Sequence, residues 1–282
     1  AAGEVYENMQ AKSGRAEVQR ISREIDTLVS NYERLMNPLL VGGETVAFLR
    51  GSRENVEEIY GSLYAILAGH AGEAALYLLS ADGRQVIATD DVPRAYALPE
   101  NLGWGLLGQA VQSPDWVLSS ADRYESDRRE TVFSMAHAIR REDELLGFAV
   151  IDVRREALVP LIQRVQDGNE GQIILTDRYH YVMMDMLDHH REGFSSVLTG
   201  SEEGASESVF RDDSYSSQDT GFTVHLRQRL DSAPLDYLFR LVLMVDAIAL
   251  GVTAYLAYRL SRHLWRPLHT LATAMGRVRS SD

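Results

Sequence analysis

The sequence predicts an α+β protein: a long N-terminal helix, two antiparallel sheets in series, then a helix that crosses a membrane. Three observations carry this. Apolar residues near the start recur at helical spacing, the middle of the chain alternates β-rich runs with turn signals, and a long apolar run lies near the end.

Composition narrows the class. The 282 residues suffice for two modest domains, and a net charge of −13 argues against nucleic acid as a partner. That charge is uneven: residues 1–237 carry 22 Lys/Arg and 39 Asp/Glu, whereas residues 238–282 carry 6 and 2. The two parts are expected to face different surroundings. There is no Cys, which excludes disulfides and thiolate metal sites. "AAGEVYENMQ" lacks the basic and apolar regions of a signal peptide. A helix without a cap at residue 1 suggests a segment upstream, for which a further membrane span is one candidate.

The elements follow in order. Val18, Ile21, Ile25, Leu28, Tyr32, Leu35 and Leu39 step by 3 and 4 alternately, a heptad seam on a helix from Gly3 to Met36 that Asn37-Pro38 is expected to end. Such a seam either packs on the protein's own core or pairs side by side with a second copy. Ser52 is placed to cap a second helix with Val56, Ile59, Leu63 and Ile66 on its apolar face. "AALYLLSADGRQVIATDD" is a hairpin turning at Asp82-Gly83. "WGLLGQAV" reads as a short helix, "WVLSS" as a strand, and "TVFSMAHAIRREDELLGFAVIDV" as two long strands joined through Arg140–Glu144. "EALVPLIQRV" is a helix with Pro160 near its first turn, "GQIILTDRYHYVMMD" a second hairpin, and "GFTVHLRQRL" a late strand. "TGSEEGASESVF" reads as a polar loop, and "DSAPLDYLF" as the capped start of another helix.

From Leu241 to Tyr258 only Asp246 is charged, and with Leu238 and Phe239 the run meets the roughly 20 apolar residues that a bilayer needs. Arg259, Arg262, His263 and Arg266 follow it at once, so the C-terminal flank is expected to be cytoplasmic and residues 1–237 extracytoplasmic. Across Pro267, Leu264, Leu268, Leu271, Met275 and Val278 continue an a/d spacing suited to a parallel pair of helices.

The order of elements, with "ALYLLSADGRQVIAT", "VFSMAHAIRREDELLGFAVIDVRREAL", "GQIILTDRYHYVM" and "DTGFTVHLRQRL", resembles the double Cache (tandem PAS-like) extracytoplasmic sensor domain over residues 1–236. "RPLHTLATAMGRV" is similar to the opening helix of a HAMP linker, most like those of two-component sensor histidine kinases. The organisation thus implied is a stalk helix over 1–40, a membrane-distal PAS-like domain over 41–167, a smaller membrane-proximal one over 168–233, a transmembrane helix over 234–259 and a first HAMP helix over 260–282.

No Ser nucleophile elbow, P-loop, GxGxxG or HExxH is found, so neither a catalytic centre nor a cofactor is expected. In "DMLDHHRE", Asp185 and His189 would share a helix face and suit a divalent metal, but a polar surface turn is the favoured account. The pairs Asp90-Asp91, Asp212-Asp213 and Glu202-Glu203 read as solvated loops.

The resemblance implies a ligand site in the first sheet. Amino-acid-binding members use an Arg and aromatic residues ahead of a Trp, then a Tyr and an Asp. Trp104 falls at the Trp position, Trp116 lies on the next strand, Tyr124 follows, and Asp152 ends "AVID". Leu102 stands where the carboxylate-clamping Arg belongs, which points away from an amino acid; Arg123 is the candidate substitute. Tyr77 and Ser134 are wall candidates by strand position. Aromatic rings around one carboxylate suit a small amine; for each residue singly, core packing is the rival account. The expectation is the sensing and signal-transmitting region of a homodimeric bacterial sensor histidine kinase with a small polar extracellular ligand, acting on a cytoplasmic response regulator. A chemotaxis receptor or diguanylate cyclase with the same front half is the alternative, and a membrane-anchored solute-binding or enzyme domain the second.

Overall fold

The structure, a computed structural model, describes residues 2–70, 72–121, 130–166, 171–188, 192–193, 210–229 and 240–259, with side chains of 2–11, 210 and 229 left aside. Two units divide the chain, Ala1–Arg229 and Leu230–Asp282.

Helix α1 runs from Ala2 to Val41 and passes through Pro38, beyond the end expected at Asn37-Pro38. The proline removes one backbone bond there. Leu39, one residue further on, is buried in the core. The buried apolar side chains of α1 are Val18, Ile21, Ile25, Val29, Tyr32, Met36 and Leu39. This stripe departs from the heptad seam at two places, Val29 for Leu28 and Met36 for Leu35, because a straight helix turns every 3.6 residues and drifts off a 3.5-residue repeat. Over this length the seam serves the protein's own core.

Short helix α2 (Gly43–Leu49) follows, then α3 (Val56–Leu67), which buries Ile59, Leu63 and Leu67. The N-cap of α3 is Asn55; Ser52 instead accepts from the Glu54 N–H, closing the turn between the helices.

Strands β1 (Ala74–Ser80), β2 (Val86–Ala88), β3 (Val117–Ser120), β4 (Thr131–Arg141) and β5 (Glu144–Arg154) form a five-stranded antiparallel sheet in the order β2-β1-β5-β4-β3. The β1–β2 turn places Gly83 at φ 72°, and a Cβ there would collide with the Leu98 carbonyl. Two left-handed residues, Glu142 and Asp143, make the tight turn between β4 and β5. One face of this sheet (Leu76, Leu78, Phe133, Met135, Ile151) joins the α1 core. The opposite face (Ala75, Tyr77, Ala136, Ala138, Phe148, Val150) carries a separate cluster closed by Tyr96, Leu107 and Ala110. Leu107 and Ala110 belong to α4 (Gly105–Gln112), as the sequence predicts.

Helix α5 (Arg155–Gln166), with Pro160 in its second turn, leads to the second sheet. Strands β6 (Gly171–Thr176), β7 (Val182–Asp185), β8 (Phe210–Ser216) and β9 (Thr223–Arg229) pair antiparallel in the order β7-β6-β9-β8. Phe133 and Phe222 meet between the sheets at 5.1 Å. Strand β8 corrects the solvated-loop reading of Asp212-Asp213: Asp212 pairs with Arg227 and Asp213 with Arg211. Asp213 lies so close to α1 that a side chain on Gly14 would strike it.

The second unit contains α6, Arg240–Arg259, long and apolar enough to cross a membrane. The expected cap at Asp231 or Ser232 and the helix over 260–282 lie outside the described residues.

The Tyr32 hydroxyl is buried with no hydrogen-bond partner among the described residues. Burial first, then the charge of Glu73, pushes its pKa up to about 12. Removing an unpartnered buried hydroxyl relieves its desolvation cost. Tyr32→Phe is therefore expected to stabilise the fold by about 1 kcal/mol in chemical denaturation. Because the folded-state value lies above the unfolded one, stability is independent of this group below pH 10 and falls as pH rises from 10 towards 12, where unfolding lets the phenol ionise. The phenylalanine variant should lack this alkaline loss in a pH series of melting curves.

Candidate functional site

Strand β5 is buried along nearly its whole length, and alternation sends Asp152 to the face away from α1. The register sets Ala75 of β1 on one side of Asp152 and Ser134 of β4 on the other. Tyr77, two residues along β1 from Ala75, shares that face. Asp152, Ser134, Tyr77 and Tyr96 are each 2% exposed. The Ser134 hydroxyl donates to Asp152 Oδ1 at 2.6 Å, and the Tyr96 phenol donates to the same oxygen. The Tyr77 and Tyr96 rings meet edge to face at 5.4 Å.

Tyr96 comes from a single 3-10 turn, Arg94–Tyr96, between β2 and α4. Asn101 Nδ2 donates to the Arg94 carbonyl at 2.7 Å and ties this turn to the approach of α4. Near its end β5 also carries Arg154, paired with Asp90 after β2. The wall thus combines a buried carboxylate, two hydroxyl donors and two phenol rings. It suits a ligand that brings positive charge and N–H donors.

The sequence-derived candidates divide. Tyr77, Ser134 and Asp152 come together. Trp104 stands at the N-cap of α4 and is 66% exposed. Trp116 lies on the α1 side of the sheet, its ring 5.5 Å from His137. There it lines a separate recess of about 530 Å3 with Asp26, Glu33, Asp115 and Asp219. Burial, with Asp115 second, raises the Glu33 pKa, and burial lowers that of His137. Arg123 and Tyr124 lie outside the described residues. Tyr96 is the residue that sequence reasoning missed; its signal was an aromatic between Pro93 and Pro99, eight residues ahead of Trp104.

In "DMLDHHRE", Asp185 is fully buried at the end of β7 and accepts from the N–H groups of Leu187 and Asp188 and from Gln172. His189 lies outside the described residues, and among those described no cluster suits a metal ion. Glu192 accepts from Asp185 N–H at 2.9 Å and pairs with Arg155 at 2.5 Å, which joins α5 to the second sheet.

No family model and no curated protein matches the chain. Solved structures do. The sensory domain of the Campylobacter jejuni chemoreceptor Tlp3, with isoleucine bound, aligns with TM-score 0.54 and 12% identity over 81% of this chain and 96% of that one. The ligand-binding domain of the Pseudomonas aeruginosa PAO1 chemoreceptor PctC, in complex with GABA, gives 0.54 and 15% over 79% and 100%. The sensor domain of the Vibrio cholerae histidine kinase DctB gives 0.57 and 11% over 79% and 98%. The first unit therefore has the double Cache sensor fold.

Replacing Asp185 by Asn turns one acceptor into a donor facing the amide of Gln172. A loss of about 2 kcal/mol in chemical denaturation is expected.

Proposed function

We propose that this chain is the extracytoplasmic sensing and transmembrane region of a dimeric bacterial sensor histidine kinase, and that its ligand is a small amine held on Asp152. The observation that carries the reading is the buried Asp152 carboxylate on the face of the first sheet away from α1, with Ser134 and Tyr96 donating to it and Tyr77 beside it. Isoleucine and GABA, bound by the neighbouring structures, each carry an amine alongside a carboxylate.

In this reading residues 1–40 are the stalk helix, 41–167 the membrane-distal domain, 168–233 the membrane-proximal domain, 234–259 the span and 260–282 the first HAMP helix. The basic cluster Arg259, Arg262, His263 and Arg266 supports a cytoplasmic C-terminal side. The a/d spacing after Pro267 supports pairing of two copies, and its "RPLxxLxxAM" pattern favours a kinase with a response regulator over a chemoreceptor or cyclase. Binding between the sheet and its covering segment would favour one of two arrangements of the helices that lead inward.

Thermal unfolding of the whole chain in detergent, against amines, amino acids, organic acids and sugars, tests the ligand. A primary amine should raise the midpoint by several degrees, and Asp152→Ala should remove that rise. No shift with any compound would refute the small-ligand reading. The absence of cysteine makes topology equally direct. In intact cells Ser13→Cys should react with an impermeant thiol reagent and Ser281→Cys should not; the reverse pattern would overturn the orientation.

A further inference from the structure

The Asp152 oxygen that would hold a ligand amine already accepts from two hydroxyls, and these sit on very different supports. Ser134 is fixed by the β4–β5 ladder, opposite Asp152 in register. Tyr96 rides on a three-residue 3-10 turn outside any ladder, held by the Tyr96 N–H on the Pro93 carbonyl at 2.9 Å and by Asn101 on the Arg94 carbonyl at 2.7 Å. Of the two donors, Ser134 belongs to a strand of the sheet, whereas Tyr96 stands on a connection outside it, its ring packed against Tyr77.

Resting on the amine-pocket reading above, we propose that Tyr96 is the selectivity residue of the pocket: its phenol occupies the ligand's place on Asp152, and only a donor that outcompetes it is admitted. A neutral hydroxyl or amide merely exchanges one neutral hydrogen bond for another. A charged N–H donor forms a bond to the carboxylate roughly twice as strong. A quaternary ammonium has charge but no N–H to replace the phenol. The site therefore selects protonated primary or secondary amines over both. Displacement of Tyr96 also moves the segment that leads to α4, at whose N-cap the exposed Trp104 sits. Ligand entry is thereby converted into motion of the cover.

The test is titration calorimetry on the whole chain in detergent with 1,4-diaminobutane, tetramethylammonium and 1,4-butanediol. Wild type should bind the diamine in preference to the other two. Tyr96→Phe keeps the ring against Tyr77 but removes the competing hydroxyl, so diamine affinity should rise about fivefold. Diamine should also shift tryptophan emission in wild type, and the shift should vanish in Trp104→Phe.

Unchanged or weaker binding by Tyr96→Phe overturns the proposal, as does an absence of any Trp104 signal in a protein that binds the diamine. Should Tyr96→Phe fail to fold, the Trp104 signal in wild type decides. If the diamine binds neither protein, Tyr96 has no such role. A ligand of another class that still depends on Asp152 would then leave the pocket standing and sink only the part assigned to Tyr96.

Discussion

The apolar stripe of α1 is the contact on which the first unit depends. Val18 to Leu39 lie within one continuous core that includes the inner faces of both sheets. Neither sheet could hide its inner face alone, and a helix of 40 residues is long enough to serve both. The close approach of Gly14 to Asp213 marks where β8 is seated on it. Residues that read as a dimerisation seam are thus consumed within the chain's own core.

With the inner face of the first sheet committed to α1, the outer face is where polar chemistry can be sheltered. Its centre is apolar and covered by α4, while its edge towards the end of β5 holds Asp152. A carboxylate placed there is costly to bury unless donors are aimed at it. Ser134 and Tyr96 provide them, so the buried carboxylate is satisfied within the fold.

Much of the fold was legible because period and burial agree. The helical recurrence of apolar residues in α1, the Asp82-Gly83 turn, the long strand pair β4–β5 and the apolar α6 each announce themselves in a few residues. Elements whose burial comes from neighbours were harder to read. Strand β8, "FRDDSYS", looks like a loop because its acidic residues are satisfied by Arg211 and Arg227 rather than by water. Asp185 looks like a surface residue for the same reason. In the site, strand alternation placed Tyr77, Ser134 and Asp152 together. It could not place Trp104 or Trp116, whose positions depend on how the connections fold, nor single out Tyr96, which reaches Asp152 across 56 residues of chain.

The central claim is that Asp152 anchors a ligand amine beneath the Arg94–Tyr96 turn. An experimental structure of the chain with its best-binding amine tests it most directly. The account predicts the amine nitrogen within hydrogen-bond distance of Asp152, with the Tyr96 phenol displaced from that carboxylate. A ligand lodged instead in the recess beside Trp116 and His137, with the Tyr96–Asp152 bond intact, would contradict it.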